Sequence, residues 1–400
     1  MRIFLESGPN ALCNAGDVAM LQAAVQKLRR VFPTAEITVA TLAVDRLAAH
    51  CGGVTAIAND QRWRMSPDFV VRRGFQKLRA AAGFTPAGDA LLHLGRPCTS
   101  YFLEAVRSAD LVAMVGGGNL TTVFTFGAQF FLQTLRLAAE FGKPTVLFGQ
   151  GVGPIASGSL RQAARAILPH AHMIAVREGL TGPALLGDLG VPRERIVVTG
   201  DDAVELAYAA RPASLGTALG VNVRLSDYSG VGTRDLPMIR EALRHTAMQR
   251  GVELVPVPIN WGIDPDMPSI RRLLRGMAAE SVMRDHPCSS TSAIARIGCC
   301  RAVVTGSYHA GVFALSQGIP AVCLARSVYY ADKFNGLRDM FGAGCEVVSM
   351  DDRELANVLC SAIERALAEA DSFRSSLHEA ARRQMAAAED ACARIPGMLR

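Results

Sequence analysis

Short apolar runs rich in β-branched residues alternate with amphipathic stretches along almost the whole of this 400-residue chain. Arg2–Glu6 and Glu36–Thr41 are typical of buried strands, and the stretches that follow them, 17–31 and Val44–His50, have helical periodicity. Strands that alternate with helices pair in parallel, because each helix carries the chain back across the sheet. The pattern therefore predicts an α/β protein, and the length predicts two domains.

The alternation starts again after residues 209–217, where alanine, proline and glycine cluster as they do in linkers. We therefore expect two doubly wound, Rossmann-like domains, in residues 1–212 and 213–350, and a helical tail in 351–400. Such domains bind ligands at the carboxyl ends of their strands, which we expect to face each other across a cleft. The segment 59–105 has no comparable pattern and is predicted to be helical in part.

Composition argues against some functions. The formal net charge is +6, but basic residues are interleaved with acidic ones, and aromatic residues make up only 6%, so we expect no nucleic-acid partner. Only four of the 42 basic residues are lysines, namely Lys27, Lys77, Lys143 and Lys333. The excess of arginine reflects either genome composition or the binding of carboxylate and phosphate groups, whose geometry the guanidinium matches.

The ten cysteines include no CxxC pair, which predicts reduced and mostly buried thiols in a cytoplasmic protein. The apolar run that precedes Glu6 is too short for the apolar region of an export signal, so none is expected. Residues 111–135 carry no charge and are long enough for a membrane span, but their glycines, threonines and glutamines favour a strand, a turn and a buried helix. No cluster of His, Cys and Asp with ligand spacing predicts a metal site.

Glycine-containing motifs follow three strands of the first half: Asn14-Ala15-Gly16-Asp17, Gly116-Gly117-Gly118-Asn119 and Gly149-Gln150-Gly151-Val152-Gly153-Pro154. Asp17 either caps a helix or binds a substrate hydroxyl. In the other two motifs, glycines let backbone N–H groups approach an anion, with Gln150 as a side-chain donor, or they form plain tight turns.

Two arginines, Arg177 and Arg224, occupy comparable strand ends in the two halves. Each is predicted to bind an anion in the cleft, the alternative for Arg177 being a surface ion pair with Glu178, which would contribute little. Gly200-Asp201-Asp202 ends the last strand of the first half and is predicted to cap or brace the hinge.

The motif Ser307-Tyr308-His309 links strand 301–305 to helix 310–317. The positive end of that helix is expected to lower the pKa of His309, so that the imidazole can transfer protons near neutral pH. Tyr329, Tyr330 and Lys333 follow the next strand. Lys333 is either a point charge for a phosphate or a solvated helix residue.

Taken in this order, the motifs resemble those of the polysaccharide pyruvyl transferase family, over residues 1 to about 345. The resemblance implies a GT-B-like fold and transfer of a pyruvyl group from phosphoenolpyruvate, the co-substrate, to a sugar or glycan precursor. No other cofactor and no metal are expected. The product is usually a cyclic ketal made during polysaccharide or cell-surface glycan biosynthesis.

The resemblance also assigns site residues. His309 matches the catalytic His. Asp17 is expected, from the chemistry of the reaction, to be the second catalytic residue, as an acceptor-side ligand or base. Many members carry Arg two positions before that His, where this chain has Ser307, so the cation would come from Arg177, Arg224, Arg326 or Lys333. The implied substrate-binding set is Asn14, Gly16, Gly117, Gly118, Asn119, Gln150, Gly151, Arg177, Arg224, Ser307, Tyr308, Tyr330 and Lys333.

Two other functions fit the same fold. One is a glycosyltransferase that uses a nucleotide sugar, and the other is a non-catalytic binding or assembly protein. The expected partner is a glycan or sugar acceptor, which residues 59–105 would help to recognise. A lipid-linked acceptor would bring the protein to the membrane periphery without a membrane span.

Overall fold

The computed structural model describes residues 1–59, 62, 98–156, 158–277 and 289–399. Most of the segment 59–105 therefore lies outside the described residues, and its described parts are Asn59, Arg62 and the end from residue 98, with helix Ser100–Arg107. In the second half, the residues described up to 277 include a helix over Asp266–Leu274.

In the first half, the described strands form one parallel sheet in the order β3-β2-β1-β4-β6-β7-β8, with β5 paired to β6 beside this path. The chain leaves β1 in one direction across the sheet and β4 in the other, which creates the switch point where doubly wound sheets bind ligands. The strands are β1 (Arg2–Glu6), β2 (Glu36–Thr41), β3 (Thr55–Ala58), β4 (Leu111–Met114), β5 (Gly117–Leu120), β6 (Thr145–Val152), β7 (Met173–Val176) and β8 (Ile196–Val198).

Helices connect these strands and cover the sheet. The first of them, α1, buries Leu21, Val25 and Leu28 in the core. The described helices of this half are α1 (Ala15–Val31), α2 (Val44–His50), α3 (Ser100–Arg107), α4 (Thr125–Glu140), α5 (Gly158–Ile167), α6 (Gly182–Asp188) and α7 (Ala203–Ala209).

The second half repeats the plan with a parallel sheet in the order β10-β9-β11-β12-β13. Its strands are β9 (Ala218–Asn222), β10 (Leu254–Pro256), β11 (Cys300–Thr305), β12 (Ala321–Ala325) and β13 (Cys345–Ser349). Its described helices are α8 (Leu236–Arg250), α9 (Asp266–Leu274), α10 (Ser290–Gly298), α11 (Tyr308–Ser316) and α12 (Val328–Phe341).

The α/β class, the parallel sheets and the helical tail are confirmed. Two details of the first sheet differ from the prediction. Glycines 117 and 118 belong to strand β5, and β6 continues to Val152, so that Gly149, Gln150 and Gly151 lie within a strand rather than after it. Glycine-rich strands lack the apolar alternation from which strands are predicted.

The tail consists of two helices with different neighbours. Helix α13 (Leu355–Ala368) covers the second sheet, whereas α14 (Ala370–Ala393) packs on α11 and α12 and also on α1 and α7 of the first half. Arg374 of α14 donates to the Pro212 carbonyl, and Arg394, just beyond it, donates to the Glu194 carbonyl at 3.0 Å. The predicted domain boundary near residue 212 stays a prediction.

One apolar core crosses from the first sheet to the second. It includes Leu21 of α1, Phe313 of α11 and Leu377 of α14, all fully buried. Every residue of α11 is buried, so this helix lies at the centre of the molecule. Among the described cysteines none forms a disulfide and most are buried.

Residues 111–135, the uncharged segment, form β4, β5 and part of α4. No helix in the described part of the chain has the length and apolar character needed to cross a membrane.

Candidate active site in the cleft

The carboxyl ends of the two sheets face a cleft of about 500 Å³. Loops after β1, β4, β7, β9, β11 and β12 contribute to its wall. The predicted site residues that line it are Asn14, Asp17, Gly118, Asn119, Arg177, Arg224, Ser307, Tyr308, His309, Tyr330 and Lys333. Their meeting follows from the shared direction of the strands, since residues after parallel strands gather at one edge of each sheet.

Asn14, not Asp17, caps helix α1. The Oδ1 atom of Asn14 accepts hydrogen bonds from the backbone N–H groups of Gly16 at 2.9 Å and Asp17 at 3.4 Å. The capping alternative for Asp17 is therefore wrong, because the helix begins two residues earlier than predicted. Asp17 lies in the first turn, and its carboxyl group lines the cleft. Burial raises the pKa of Asp17 to about 6, although Arg224, Lys333 and Arg177 oppose the rise.

This shift predicts that Asp17 costs stability at neutral pH. In the unfolded chain the carboxyl group has an ordinary pKa of 3.8, whereas in the folded protein it is about 6. Stability is therefore lost as the pH rises through 6, where the folded carboxyl group ionises. We expect Asp17→Asn to raise the free energy of unfolding at pH 7.5 by up to about 3 kcal/mol, and to have little effect at pH 4. Urea unfolding at both pH values checks this, and an equal gain at both would contradict it.

His309 lies in the first turn of α11, with its Nε2 atom buried and 3.7 Å from Oδ2 of Asp201. Burial holds the pKa of His309 well below its usual range, and the charges of Arg177, Lys333 and Arg224 lower it further. The predicted direction of the shift is thus confirmed, with burial as its main cause. An anion bound to these cations would offset their effect and favour a protonated imidazole.

Two cations and a hydroxyl group converge on Gly118. A methyl group at this position would lie 2.9 Å from the Tyr329 hydroxyl, 3.1 Å from Lys333 Nζ and 3.4 Å from Arg177 Nη2. The Arg177 Nη2 and Tyr329 hydroxyl groups are buried and make no hydrogen bond within the described structure. Burial holds the pKa of Lys333 well below its usual value, and Arg177 lowers it further. Arg177 Nη1 lies 3.6 Å from Asp201 Oδ2, whereas Nη2 is directed at Gly118. The group of Arg177, Lys333 and Tyr329 is here called the anion subsite, because its donors suit a small anion.

Arg224 is held by its own half of the protein. Its Nη1 atom lies 3.2 Å from Asp266 Oδ1, and its Nε atom donates to the Tyr228 hydroxyl at 2.6 Å. Arg326, another cation considered for the position left by Ser307, lies outside the cleft and is bound to Asp235 and Asp351. The structure therefore leaves Arg177, Lys333 and Arg224 as the cleft cations in the part of the chain that it describes.

Four predicted residues, Gly16, Gly117, Gln150 and Gly151, do not line the cleft. Gln150 is fully buried, and its Nε2 atom donates to the carbonyls of Val115 at 2.8 Å and Phe148 at 2.6 Å. Its two amide hydrogens are therefore used, and the predicted role as a ligand donor is wrong.

The glycines make room for side chains. A methyl group at Gly151 would lie 2.6 Å from Arg177 Cζ, and one at Gly16 would lie 2.6 Å from His309 Cβ and closer still to the imidazole ring. Gly151 and Gly16 thus leave the space that the side chains of Arg177 and His309 occupy, and the predicted role of backbone N–H groups in binding an anion stays a prediction.

The motif around Arg177 separates into two roles. Glu178 turns away from Arg177 and accepts hydrogen bonds from the N–H groups of Leu180, Thr181 and Gly182 at the start of α6. Both residues are buried, so the surface ion pair considered for them is wrong.

Asp201 accepts from the Ala203 N–H at the start of α7, and Asp202 forms a buried ion pair with Lys27 of α1. Asp201 thus binds the first backbone N–H of α7, whose N-cap residue is Asp202, and the predicted bracing of the hinge stays a prediction.

Sequence reasoning missed an aromatic wall. Phe124 of the first half contacts Tyr228 and Tyr329 of the second half edge to face, with ring centroids 5.1 and 5.8 Å apart. Four of the six tyrosines of the chain line the cleft, namely Tyr228, Tyr308, Tyr329 and Tyr330. The concentration of these tyrosines after strand ends was the signal in the sequence from which the aromatic wall could have been predicted. Ser7, Asn10 and Asn260, which also line the cleft, had no comparable signal. Within the described residues, no group of His, Cys, Asp and Glu could hold a metal ion.

Comparisons with known proteins agree with this architecture. The family model described as polysaccharide pyruvyl transferase matches residues 14–328. No curated protein matches in sequence. A UDP-GlcNAc 2-epimerase from Neisseria meningitidis bound to UDP-GlcNAc is similar in structure, with a TM-score of 0.60, 10% identity and coverage of 99% of this chain and 100% of that one.

Two further solved structures share the fold. MurG of Acinetobacter baumannii has a TM-score of 0.55 and 11% identity, with 99% of each chain covered. Anabaena HepE in complex with UDP has a TM-score of 0.58 and 13% identity, again with 99% of each chain covered. These similarities establish the GT-B fold for the chain.

Proposed function

Since the chain belongs to the polysaccharide pyruvyl transferase family, and so is a transferase, we propose that it transfers the pyruvyl group of phosphoenolpyruvate to hydroxyl groups of a sugar. The observation that carries this proposal is the convergence of Arg177, Lys333 and Tyr329 on Gly118, in the same cleft as His309. Phosphoenolpyruvate has a carboxylate and a phosphate on one small skeleton, and it needs clustered cations next to a proton donor.

In the proposed reaction, His309 gives a proton to the methylene carbon of phosphoenolpyruvate. The adjacent carbon becomes oxocarbenium-like, and a sugar hydroxyl attacks it while Asp17 accepts the hydroxyl proton. The carbon–oxygen bond to phosphate then breaks, inorganic phosphate leaves, and a second hydroxyl closes the cyclic ketal with loss of its proton. Arg177 and Lys333 stabilise the phosphate as charge accumulates on it. The reaction needs no oxidant and no cofactor besides the co-substrate.

The acceptor is proposed to lie on the other side of the cleft. Phe124, Tyr228 and Tyr330 offer ring faces and edges there, and the side chains of Asn14 and Asn260 are close by. Aromatic rings with a few polar groups are typical of sites that orient a neutral, hydroxyl-rich ligand. A cytoplasmic location is proposed from the free thiols, which fit a reducing compartment. A lipid-linked acceptor would be reached at the membrane surface.

A second candidate is a glycosyltransferase that uses a nucleotide sugar. The cleft, at about 500 Å³, has room for more than phosphoenolpyruvate, and its aromatic wall could stack with a base. Two of the similar structures are described as complexes, one with UDP and the other with UDP-GlcNAc.

Thermal-shift titration separates the two candidates. We expect phosphoenolpyruvate, at a hundredfold excess over its Kd, to stabilise the protein by about 2.7 kcal/mol, and UDP or GDP to have little effect. Lys333→Met removes a cation of the anion subsite and is expected to abolish most of the shift. The matched control is Lys143→Met, because Lys143 precedes β6 at the opposite edge of the sheet. Stabilisation by UDP or GDP, and none by phosphoenolpyruvate, would favour the glycosyltransferase.

A further inference from the structure

Asp201 brings a buried carboxylate oxygen, Oδ2, to His309 from the opposite half of the protein, and the same oxygen lies 3.6 Å from Arg177 Nη1 in a buried ion pair. Asp201 follows β8 of the first sheet, whereas His309 begins α11 of the second half. Oδ1 of Asp201 accepts from the Ala203 N–H at 2.9 Å, and Oδ2 lies 3.7 Å from His309 Nε2. Neither Oδ2 nor Nε2 has a hydrogen-bond partner in the described part of the chain, and both are buried.

Two buried polar atoms left without hydrogen-bond partners are costly, and these two face each other at slightly more than hydrogen-bond distance. Catalytic hydrogen bonds are often long in empty enzymes and shorten when the substrate binds. We propose that Asp201 is a positioning residue that accepts the Nε2–H of His309, so that Nδ1 is the nitrogen that exchanges a proton with the substrate. This rests on the proposed function, in which His309 is the proton donor.

The proton balance is simple. Imidazolium carries hydrogen on both nitrogens, and transfer of the Nδ1 proton to the methylene carbon leaves the neutral tautomer with hydrogen on Nε2. Asp201 accepts a hydrogen bond from Nε2 before and after the transfer, and it does not itself become protonated. Nδ1 regains a proton from the acceptor hydroxyl or from solvent.

Both halves of the protein complete the surroundings of His309. Asp201 and Gly16, which contact two sides of the same imidazole, both belong to the first half. The position and tautomer of His309 are therefore set by residues of the opposite half. The charged and titratable groups that face His309 from the surrounding elements are Asp17, Arg177, Asp201, Arg224, Tyr308 and Lys333.

Asp201→Asn tests the proposal, because the Ala203 N–H holds the amide oxygen and leaves the NH₂ group facing Nε2. Two donors cannot pair, so Nε2 must lose its hydrogen and Nδ1 must gain it. We expect kcat to fall about 100-fold or more, and the pH profile of kcat to shift, while phosphoenolpyruvate still stabilises the protein. Asp201→Glu is expected to recover part of the activity.

Nitrogen-15 NMR of the histidine rings reads the tautomer without reference to activity. The His309 signal is assigned from its loss in His309→Gln, and the expected change is from Nε2–H in the wild type to Nδ1–H in Asp201→Asn. Asp202→Asn is the control, since Asp202 pairs with Lys27. An Nδ1–H tautomer in the wild type, or an unchanged tautomer and kcat in Asp201→Asn, would overturn the proposal. Failure of the wild type to use phosphoenolpyruvate, with the expected NMR result, would instead overturn the proposed function.

Discussion

Replacing His309 with glutamine is expected to lower the rate of pyruvyl transfer by about 1,000-fold or more. The enol carbon of phosphoenolpyruvate must gain a proton, and the other acid of the cleft near the cations, Asp17, is assigned to the acceptor hydroxyl. Glutamine has similar length and polarity but cannot transfer a proton at neutral pH. Release of inorganic phosphate from phosphoenolpyruvate in the presence of a sugar acceptor measures the effect.

The His309→Gln experiment distinguishes a loss of catalysis from a loss of phosphoenolpyruvate binding. In His309→Gln the anion subsite keeps Arg177 and Lys333, so phosphoenolpyruvate should still raise the melting temperature. His378→Gln is the matched control, because His378 is half-buried outside the cleft, on α14 beside the Gln317 carbonyl. A His309→Gln variant with near-normal turnover would show that another group protonates the substrate.

Gly16→Ala is expected to reduce kcat about 100-fold although it adds a single methyl group. That methyl would lie 2.6 Å from His309 Cβ and closer to the ring, so the imidazole or the whole of α11 must move. The start of α1, which carries Gly16, cannot shift easily, because Asn14 caps this helix and the Ala15 N–H donates to the Ile259 carbonyl at 2.8 Å. A displacement of about 1 Å at a reacting group costs on the order of 100-fold.

Gly187→Ala is the control for helix propensity. Gly187 lies in α6, and a methyl group there would meet nothing within 4 Å. This variant should keep its activity and gain up to about 1 kcal/mol of stability, since alanine favours helix more than glycine. Full activity in Gly16→Ala would mean that the two halves move apart without penalty and that the position of His309 against α1 is unimportant.

Much of the cleft could be predicted from the sequence because its residues follow strands. Asp17, Arg177, Arg224 and His309 each come shortly after an apolar run, and parallel strands bring such positions to one edge. The direction of the pKa shift of His309 could also be predicted, but from the positive end of its helix, whereas in the structure burial is the main cause of the shift.

What could not be predicted depends on packing between distant segments. The glycines at 16 and 151 are needed for the side chains of His309 and Arg177, and no local pattern shows which side chain will fill such a space. The pairing of Asp201 with His309 joins residues that are far apart in the chain and in opposite halves. Phe124 lacks charge and follows threonines and a valine, so its place in the aromatic wall had no sequence signal.

The packing of α14 determines whether the two halves can be separated as fragments. Leu377, Ala380 and Ala381 of this helix belong to the same core as Ala203 and Ala207 of α7. A fragment cut at the linker would therefore expose an apolar groove that its own sequence cannot fill, and the remaining fragment would carry an unpaired apolar helix. The two halves have separate sheets, but we expect them to unfold as one cooperative unit, because the last long helix belongs to the core of both.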